Sequence, residues 1–184
     1  MPYNHFEHRH RFAVCAAAKA AQRGFTDVET LRDAIESTTI RAFLEEKSNF
    51  DIDDTKFDSL HREWCNQIVT YLKNKELVKA TYGRAAKLVA VYLKSMVVVA
   101  QVDCRLARVA HPPIDWVLLK NMASTTALPS KDKPTWRKTR WTKLSESDYF
   151  ALLQSFRSVI PESSEWWRLE EYWTVTNLSD ASAP

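Results

Sequence analysis

Glycine is almost absent from this chain, which has only Gly24 and Gly83 in 184 residues. An average protein contains about 7% glycine, because turn-rich β architectures need it wherever the backbone adopts positive φ. So low a content predicts a mostly helical protein. It also excludes nucleotide-binding classes that rely on glycine-rich phosphate loops, since the sequence contains neither GxGxxG nor a Walker A motif.

Apolar residues recur at helical spacing along most of the chain and indicate seven to nine helices. Capping-box spacing places helix starts at Thr26 and at Ser145. Pro112 and Pro113 end whatever precedes them, and Asp115 follows at a helix start. Residues 124–143 are predicted to be mainly irregular. A last helix is predicted to carry an aromatic stripe in the core that includes Trp166 and Trp173. Because Trp166 and Trp167 are adjacent, one of these two rings is expected to be partly exposed.

The predicted fold class is therefore all-α, a compact single-domain helical bundle. The domain is expected to cover residues 1–176, followed by a disordered tail over 177–184. The β-branched run Val97-Val98-Val99 is assigned to the end of a helix, although it would suit a strand in a different fold.

Three scattered cysteines, with no CxxC motif, predict neither a zinc site nor any other metal or cofactor. An odd number of separate thiols is typical of a reducing compartment, so we expect a cytoplasmic protein. The longest apolar run, residues 96–100, is too short to span a bilayer, so no membrane partner is expected.

Positive charge is concentrated in residues 129–143, termed the basic segment, which carries a net charge of +5 and leaves −2 for the rest of the chain. Its cations alternate with two tryptophans. Cations bind phosphates and aromatic rings stack on bases, so the segment predicts DNA binding. The alternative is a surface loop with solvated charges and both tryptophans packed in the core. The residues assigned to binding are Lys131, Lys133, Trp136, Arg137, Lys138, Arg140 and Trp141.

A second pattern could carry chemistry. Gly83 opens a helix with Lys87 one turn inside it, and Asp115 emerges from the Pro112-Pro113 break. The positive end of the helix dipole and burial would both favour a neutral lysine amine, the form that attacks electrophiles. The alternative is structural: Gly83 forms a turn, Lys87 extends to solvent and Asp115 is an ordinary N-cap.

At these residues the sequence resembles the helix-hairpin-helix DNA glycosylases, specifically the 8-oxoguanine DNA glycosylase branch. The resemblance covers about 40 residues and rests on Gly83, Lys87, the two prolines and Asp115. The chain departs from the family pattern at position 81, which is Thr where the family has a second glycine, and in the longer gap between Lys87 and Asp115.

The resemblance implies base excision with lyase chemistry. Lys87 would attack the sugar C1′ and form a Schiff base, and Asp115 would stabilise the sugar cation or act as a general base. His111 or Trp116 would line the pocket for a flipped base, and Gly83 would contact the substrate. We then expect Lys87 and Asp115 to approach within about 8 Å at one cavity.

Two other functions remain open. A helical module that binds nucleic acid or protein could keep the fold without the chemistry. A ribonuclease of the HEPN type could use Arg105 and His111, although the two prolines after His111 disagree with the single helix that such a motif requires.

Overall fold

The computed structural model describes residues 3–22, 24–100, 103–161 and 164–174. Within these ranges the chain forms nine α-helices and no strand, which confirms the all-α prediction. Residues 177–184, predicted to be a tail, lie outside the described residues. The helices are α1 (His5–Gln22), α2 (Val28–Glu36), α3 (Ile40–Glu45), α4 (Asp54–Asn74), α5 (Tyr82–Leu93), α6 (Arg105–Val109), α7 (Trp116–Ser124), α8 (Lys133–Lys138) and α9 (Glu146–Arg157).

Helix α5 forms the centre of the molecule. Nearly all of its side chains are buried, as expected of a helix that is apolar on every face. It packs against α1, α4 and α9, and α1 buries four alanines, at positions 13, 17, 18 and 21. Lys87 is the one charged side chain in the buried part of α5.

A π-helical turn, Lys94–Val98, continues α5. It is closed by the hydrogen bond from the Val99 amide to the Lys94 carbonyl, five residues back, at 3.0 Å. The run Val97-Val98-Val99 is thus neither a strand nor a regular helix end. Short π turns of this kind are frequent at functional sites.

Side-chain caps define several helix starts. Ser145 and Asp148 form the predicted capping box of α9, and Asp115 accepts from two amides of α7. The predicted box at Thr26 is displaced by one residue: Asp27 is the N-cap of α2, and its carboxylate accepts from the Thr30 amide.

Two predicted element types differ from the structure. Part of the segment expected to be irregular forms α8, because Pro134 lies in the first turn, where a proline costs no hydrogen bond. The last stripe of aromatic residues forms a 3₁₀ helix, Trp166–Tyr172, rather than an α-helix. Shorter 3₁₀ turns lie at Lys47–Phe50 and Trp141–Lys143. No helix in the described ranges has the length and apolarity to cross a bilayer.

Candidate functional site

Lys87 and Asp115 form an ion pair beside α5. The distance from Lys87 Nζ to Asp115 Oδ2 is 2.9 Å, well within the predicted 8 Å, and the two side chains are 4% and 2% exposed. Helix α5 supplies the lysine, and the Pro-Pro break presents the aspartate at the first turn of α7. Two segments far apart in sequence therefore meet as predicted.

Asp115 accepts hydrogen bonds from four donors. Its Oδ1 accepts from the amides of Val117 and Leu118 at 2.9 and 3.1 Å. The Trp173 indole N–H lies 3.1 Å from both carboxylate oxygens, and Lys87 bonds Oδ2. Burial alone would raise the pKa of Asp115, but these donors, with Lys87 the strongest, outweigh it and hold the pKa below its usual value. The carboxylate is therefore ionised at neutral pH.

Trp141 covers the lysine. Lys87 Nζ lies 4.7 Å from the centroid of the Trp141 ring, a distance typical of a cation–π contact. This contact joins the basic segment directly to the Lys87–Asp115 pair.

Gly83 makes that contact possible. A Cβ at this position would lie 2.0 Å from the Trp141 carbonyl oxygen, far closer than any side chain allows. The Gly83 amide also donates to the Leu144 carbonyl at 3.1 Å. Gly83 was predicted to bind substrate; the structure instead buries it against the chain, so its role is to let α5 and the turn after α8 approach each other.

The ion pair lines an open cavity of about 440 Å³. This volume lies within the range of small-molecule sites, roughly 300–1,000 Å³. The wall combines apolar and charged side chains, and Phe12, which is 66% exposed, lies at its edge. A second ion pair, Lys94–Glu170, also lines it.

His111 and Trp116 lie outside the lining of this cavity. His111 is buried at a separate cavity of about 480 Å³, where its Nε2 lies 3.1 Å from Asp58 Oδ1. His111 therefore does not line the cavity beside Lys87 as expected, and Pro113, two positions on, lines it instead. Trp116 follows Asp115 directly and is 48% exposed, so its ring is available at the surface.

The two tryptophans of the basic segment do not stack on bases as predicted. Trp136 is fully buried against Phe156, and its indole donates to Ser155 Oγ at 2.8 Å. Trp141 is buried over Lys87. Large aromatic surfaces gain more from burial than from exposure, so both rings anchor the segment to the core.

The cations of the basic segment remain at the surface. Lys131, Arg137, Lys138, Arg140 and Lys143 are exposed and Lys133 is half-buried, donating to the Thr125 carbonyl. In the described parts of the chain, none of the six pairs with a carboxylate. Three of them, Lys138, Arg140 and Lys143, line a groove of about 570 Å³.

Arg105 and His111 do not form a common site. Helix α6 ends at Val109, before His111. Arg105 is exposed and pairs with Asp51 at 3.1 Å, whereas His111 is buried beside Asp58. The single helix required by a HEPN-type motif is absent from this segment, which contradicts the ribonuclease alternative.

Among the cavity residues that sequence reasoning did not assign to the site are Lys94, Glu170 and Trp173. Lys94 carried a usable signal, because it lies seven residues after Lys87 and so on the same helix face. Trp173 was assigned to a core stripe, and no local pattern linked its indole to an aspartate 58 positions away. Of the adjacent pair, Trp166 is buried and Trp167 partly exposed, as two neighbouring rings require.

Comparisons with protein-family models, with curated proteins and with solved structures find no match to this chain. The function of the cavity therefore has to be inferred from its own geometry and charge.

Proposed function

We propose that this protein binds DNA and excises a base from it, with Lys87 as the nucleophile and Asp115 as its electrostatic partner. The observation that carries the proposal is the contact of 2.9 Å between Lys87 Nζ and Asp115 Oδ2 at the wall of an open cavity. A lysine and a carboxylate beside a cavity of this size can act together on a sugar.

The chemistry balances in atoms and charge. The Lys87 ammonium first loses one proton, and the neutral amine forms a bond to C1′ while the C1′–N glycosidic bond breaks. The electron pair of that bond leaves with the base, which takes up one proton. The nitrogen then gives up a second proton, which O4′ takes up as the C1′–O4′ bond breaks, and the N,O-acetal becomes a protonated Schiff base.

Asp115 suits the electrostatic role better than that of a general base. Four donors surround its carboxylate, and they keep its pKa low, so it accepts a proton poorly. A fixed negative charge next to C1′ stabilises the positive charge that develops on the sugar as the base departs. The low pKa of Asp115 therefore supports the electrostatic role over that of a general base.

The basic segment would hold the DNA beside this cavity. Its cations are exposed and lack carboxylate partners in the described ranges, as phosphate contacts require. Trp141 connects the segment to Lys87, so a bound backbone would lie near the nucleophile.

Borohydride trapping tests the proposal. The wild-type protein is incubated with duplexes that carry oxidised guanine, other damaged bases or an abasic site, and borohydride reduces any Schiff base to a stable adduct. We expect an adduct with the wild type, none with Lys87→Gln, and an adduct with Lys19→Met, which removes another lysine from the same cavity. Retention of the adduct by Lys87→Gln would contradict the assignment of the nucleophile.

A non-catalytic DNA-binding module is the second candidate, and one observation favours it. The ammonium and carboxylate are almost fully buried and already satisfy each other, as in a purely structural ion pair. Such a module would bind DNA with a strong salt dependence and give no adduct with any duplex, abasic DNA included.

A further inference from the structure

The second ion pair on the cavity wall joins Lys94 to Glu170. Lys94 is the first residue of the π turn, and Glu170 belongs to the 3₁₀ helix Trp166–Tyr172. Their side chains are 38% and 17% exposed, so a molecule in the cavity can reach both. A partly exposed ion pair of this kind contributes little to stability, so stability alone does not account for its position.

Both charged groups have unused bonding capacity. The Lys94 ammonium has three N–H donors, and the Glu170 carboxylate has about four acceptor positions. Their mutual contact uses one of each. The remaining N–H donors of Lys94 and the remaining acceptor positions of Glu170 can therefore bind a molecule in the cavity while the ion pair stays intact.

The spacing from Lys87 matches a nucleotide placed along the cavity. Lys87, Val91 and Lys94 lie on one face of α5 and its continuation, and all three line the cavity. At 1.5 Å per residue, Lys94 lies about 10 Å beyond Lys87 along the helix axis. A sugar at Lys87 would direct its base toward Lys94 and Glu170.

We propose that Lys94 and Glu170 form a base-reading pair: Lys94 donates to an acceptor on the flipped base, and Glu170 accepts from the neighbouring N–H donor. The inference rests on the proposed function, because it assigns the base to the same cavity. The ligand class is a nucleobase whose hydrogen-bonding edge carries a carbonyl or ring-nitrogen acceptor next to an N–H donor. An abasic sugar has no such edge and would not use the pair.

Two reactions of the same protein test this inference. The first is release of the damaged base on which the wild type is fastest, and the second is borohydride trapping at a preformed abasic site. Lys94→Met and Glu170→Gln are expected to slow base release by roughly 10- to 100-fold, the loss expected for a hydrogen bond to a charged group. Both variants should trap abasic DNA within about twofold of the wild type, because Lys87 and Asp115 are intact.

A charge-swapped variant separates reading from structure. Lys94→Glu with Glu170→Lys keeps an ion pair at this position but exchanges the donor and the acceptor. If the pair reads the base, base release stays slow in the swapped protein. Lys19→Met is the matched control: it removes a lysine from the same cavity, and the ratio of base release to abasic trapping should not change. Thermal unfolding and abasic trapping report whether each variant is folded.

The outcomes are distinct. Selective loss of base release, not restored by the swap, supports the base-reading pair. Restoration by the swap, an equal fall in both reactions with the fold intact, or the same selective loss in Lys19→Met overturns it while leaving the proposed function in place. A wild-type protein that neither releases a base nor traps abasic DNA overturns the proposed function and the base-reading pair together.

Discussion

Two polar clusters are buried beside α5, and the same two segments build both. Helix α5 contributes Lys87 to one cluster and Tyr82 to the other, and the segment after α6 contributes Asp115 and His111 respectively. The first cluster is an ion pair. The second, completed by His61 from α4, has histidine and tyrosine side chains at its centre and is termed the histidine cluster.

Inside the histidine cluster, the side chains are held by hydrogen bonds to tyrosine hydroxyls and by ring contacts, and Asp58 bonds His111 from the rim. His61 Nδ1 lies 2.9 Å from Tyr82 OH, and His111 Nδ1 lies 3.3 Å from Tyr149 OH. The two imidazole rings are 4.8 Å apart. Burial lowers the pKa of both histidines, and the nearby Asp58 opposes but does not reverse this effect at His111.

The two clusters differ in the partners that surround each titratable group once it is buried. Lys87 and Asp115 meet an opposite charge at hydrogen-bond distance, so the carboxylate stays ionised despite its burial. His61 contacts another titratable ring and two hydroxyl-bearing side chains, so burying its neutral form costs less free energy than burying its protonated form. Equal burial thus produces one charged and one neutral site.

Breaking the ion pair should have the largest effect. Lys87→Met leaves Asp115 buried without its counter-charge, which we expect to lower the free energy of unfolding by about 3–5 kcal/mol. Urea denaturation at pH 7 measures it. Adding Asp115→Asn removes the second charge and keeps a good N-cap, so the double variant should be more stable than Lys87→Met alone. A double variant that is no more stable would mean that packing, not the unpaired charge, causes the loss.

Removing a hydrogen bond from the histidine cluster should cost less. His61→Phe leaves the buried Tyr82 hydroxyl without this partner, and we expect a loss of about 1–3 kcal/mol in the same measurement. Adding Tyr82→Phe to this variant removes that hydroxyl and should restore part of the lost free energy of unfolding. A loss as large as that of Lys87→Met would contradict the distinction between the two clusters.

The clusters should also respond at different pH values. The pKa of His61 and of His111 is lowered in the folded state, so the unfolded chain binds more protons than the folded chain below about pH 6.5. Folding stability therefore falls as the pH drops below that value. The loss is up to about 1.4 kcal/mol per pH unit for each proton. The contribution of Asp115 to folding stability is lost only below about pH 3.9, which is the pKa of an aspartate in the unfolded chain.

Urea denaturation between pH 7.5 and 5 checks this order. His61→Phe should flatten the pH dependence in that interval, because one of the two protons is then missing from the unfolded state. The double variant Lys87→Met with Asp115→Asn, which removes both charges of the ion pair, should leave the slope in the same interval unchanged. A slope that survives in His61→Phe but disappears in this double variant would reverse the assignment.

Removing exposed charges from the basic segment should have the smallest effect on folding stability. Replacing Arg137, Lys138 and Arg140 with glutamine should change the free energy of unfolding by less than about 0.5 kcal/mol, because all three are exposed and none pairs with a carboxylate among the residues that the structure describes. DNA affinity should fall for every sequence, and the slope of log affinity against log salt should shrink by roughly 3. Titrations at several salt concentrations measure it, and an unchanged slope would leave the segment as solvated surface.

The sequence predicted those features that depend on short-range rules. The helix start at Asp115 follows from the Pro-Pro break before it, and the capping box of α9 follows from Ser145 and Asp148. The approach of Lys87 to Asp115 came from the resemblance to a family rather than from spacing. Whether the two residues act as that family implies stays a prediction.

Features that depend on packing could not be predicted in this way. Trp136 and Trp141 alternate with cations, as in a nucleic-acid interface, and only the tertiary fold shows that both rings point inward. The ion pair Lys94–Glu170 joins residues 76 positions apart. Lys94 lies at the start of a π turn, which no residue pattern in the sequence predicts. Local propensity cannot report on partners that are this distant.

The contact between Gly83 and the Trp141 carbonyl has a kinetic consequence. It joins positions nearly 60 residues apart, and closing so long a loop costs conformational entropy before the contact returns any energy. We therefore expect the docking of the turn after α8 onto α5 to be largely absent from the folding transition state. Gly83→Ala should then accelerate unfolding far more than it slows folding, so the half-life of the native state depends on this glycine.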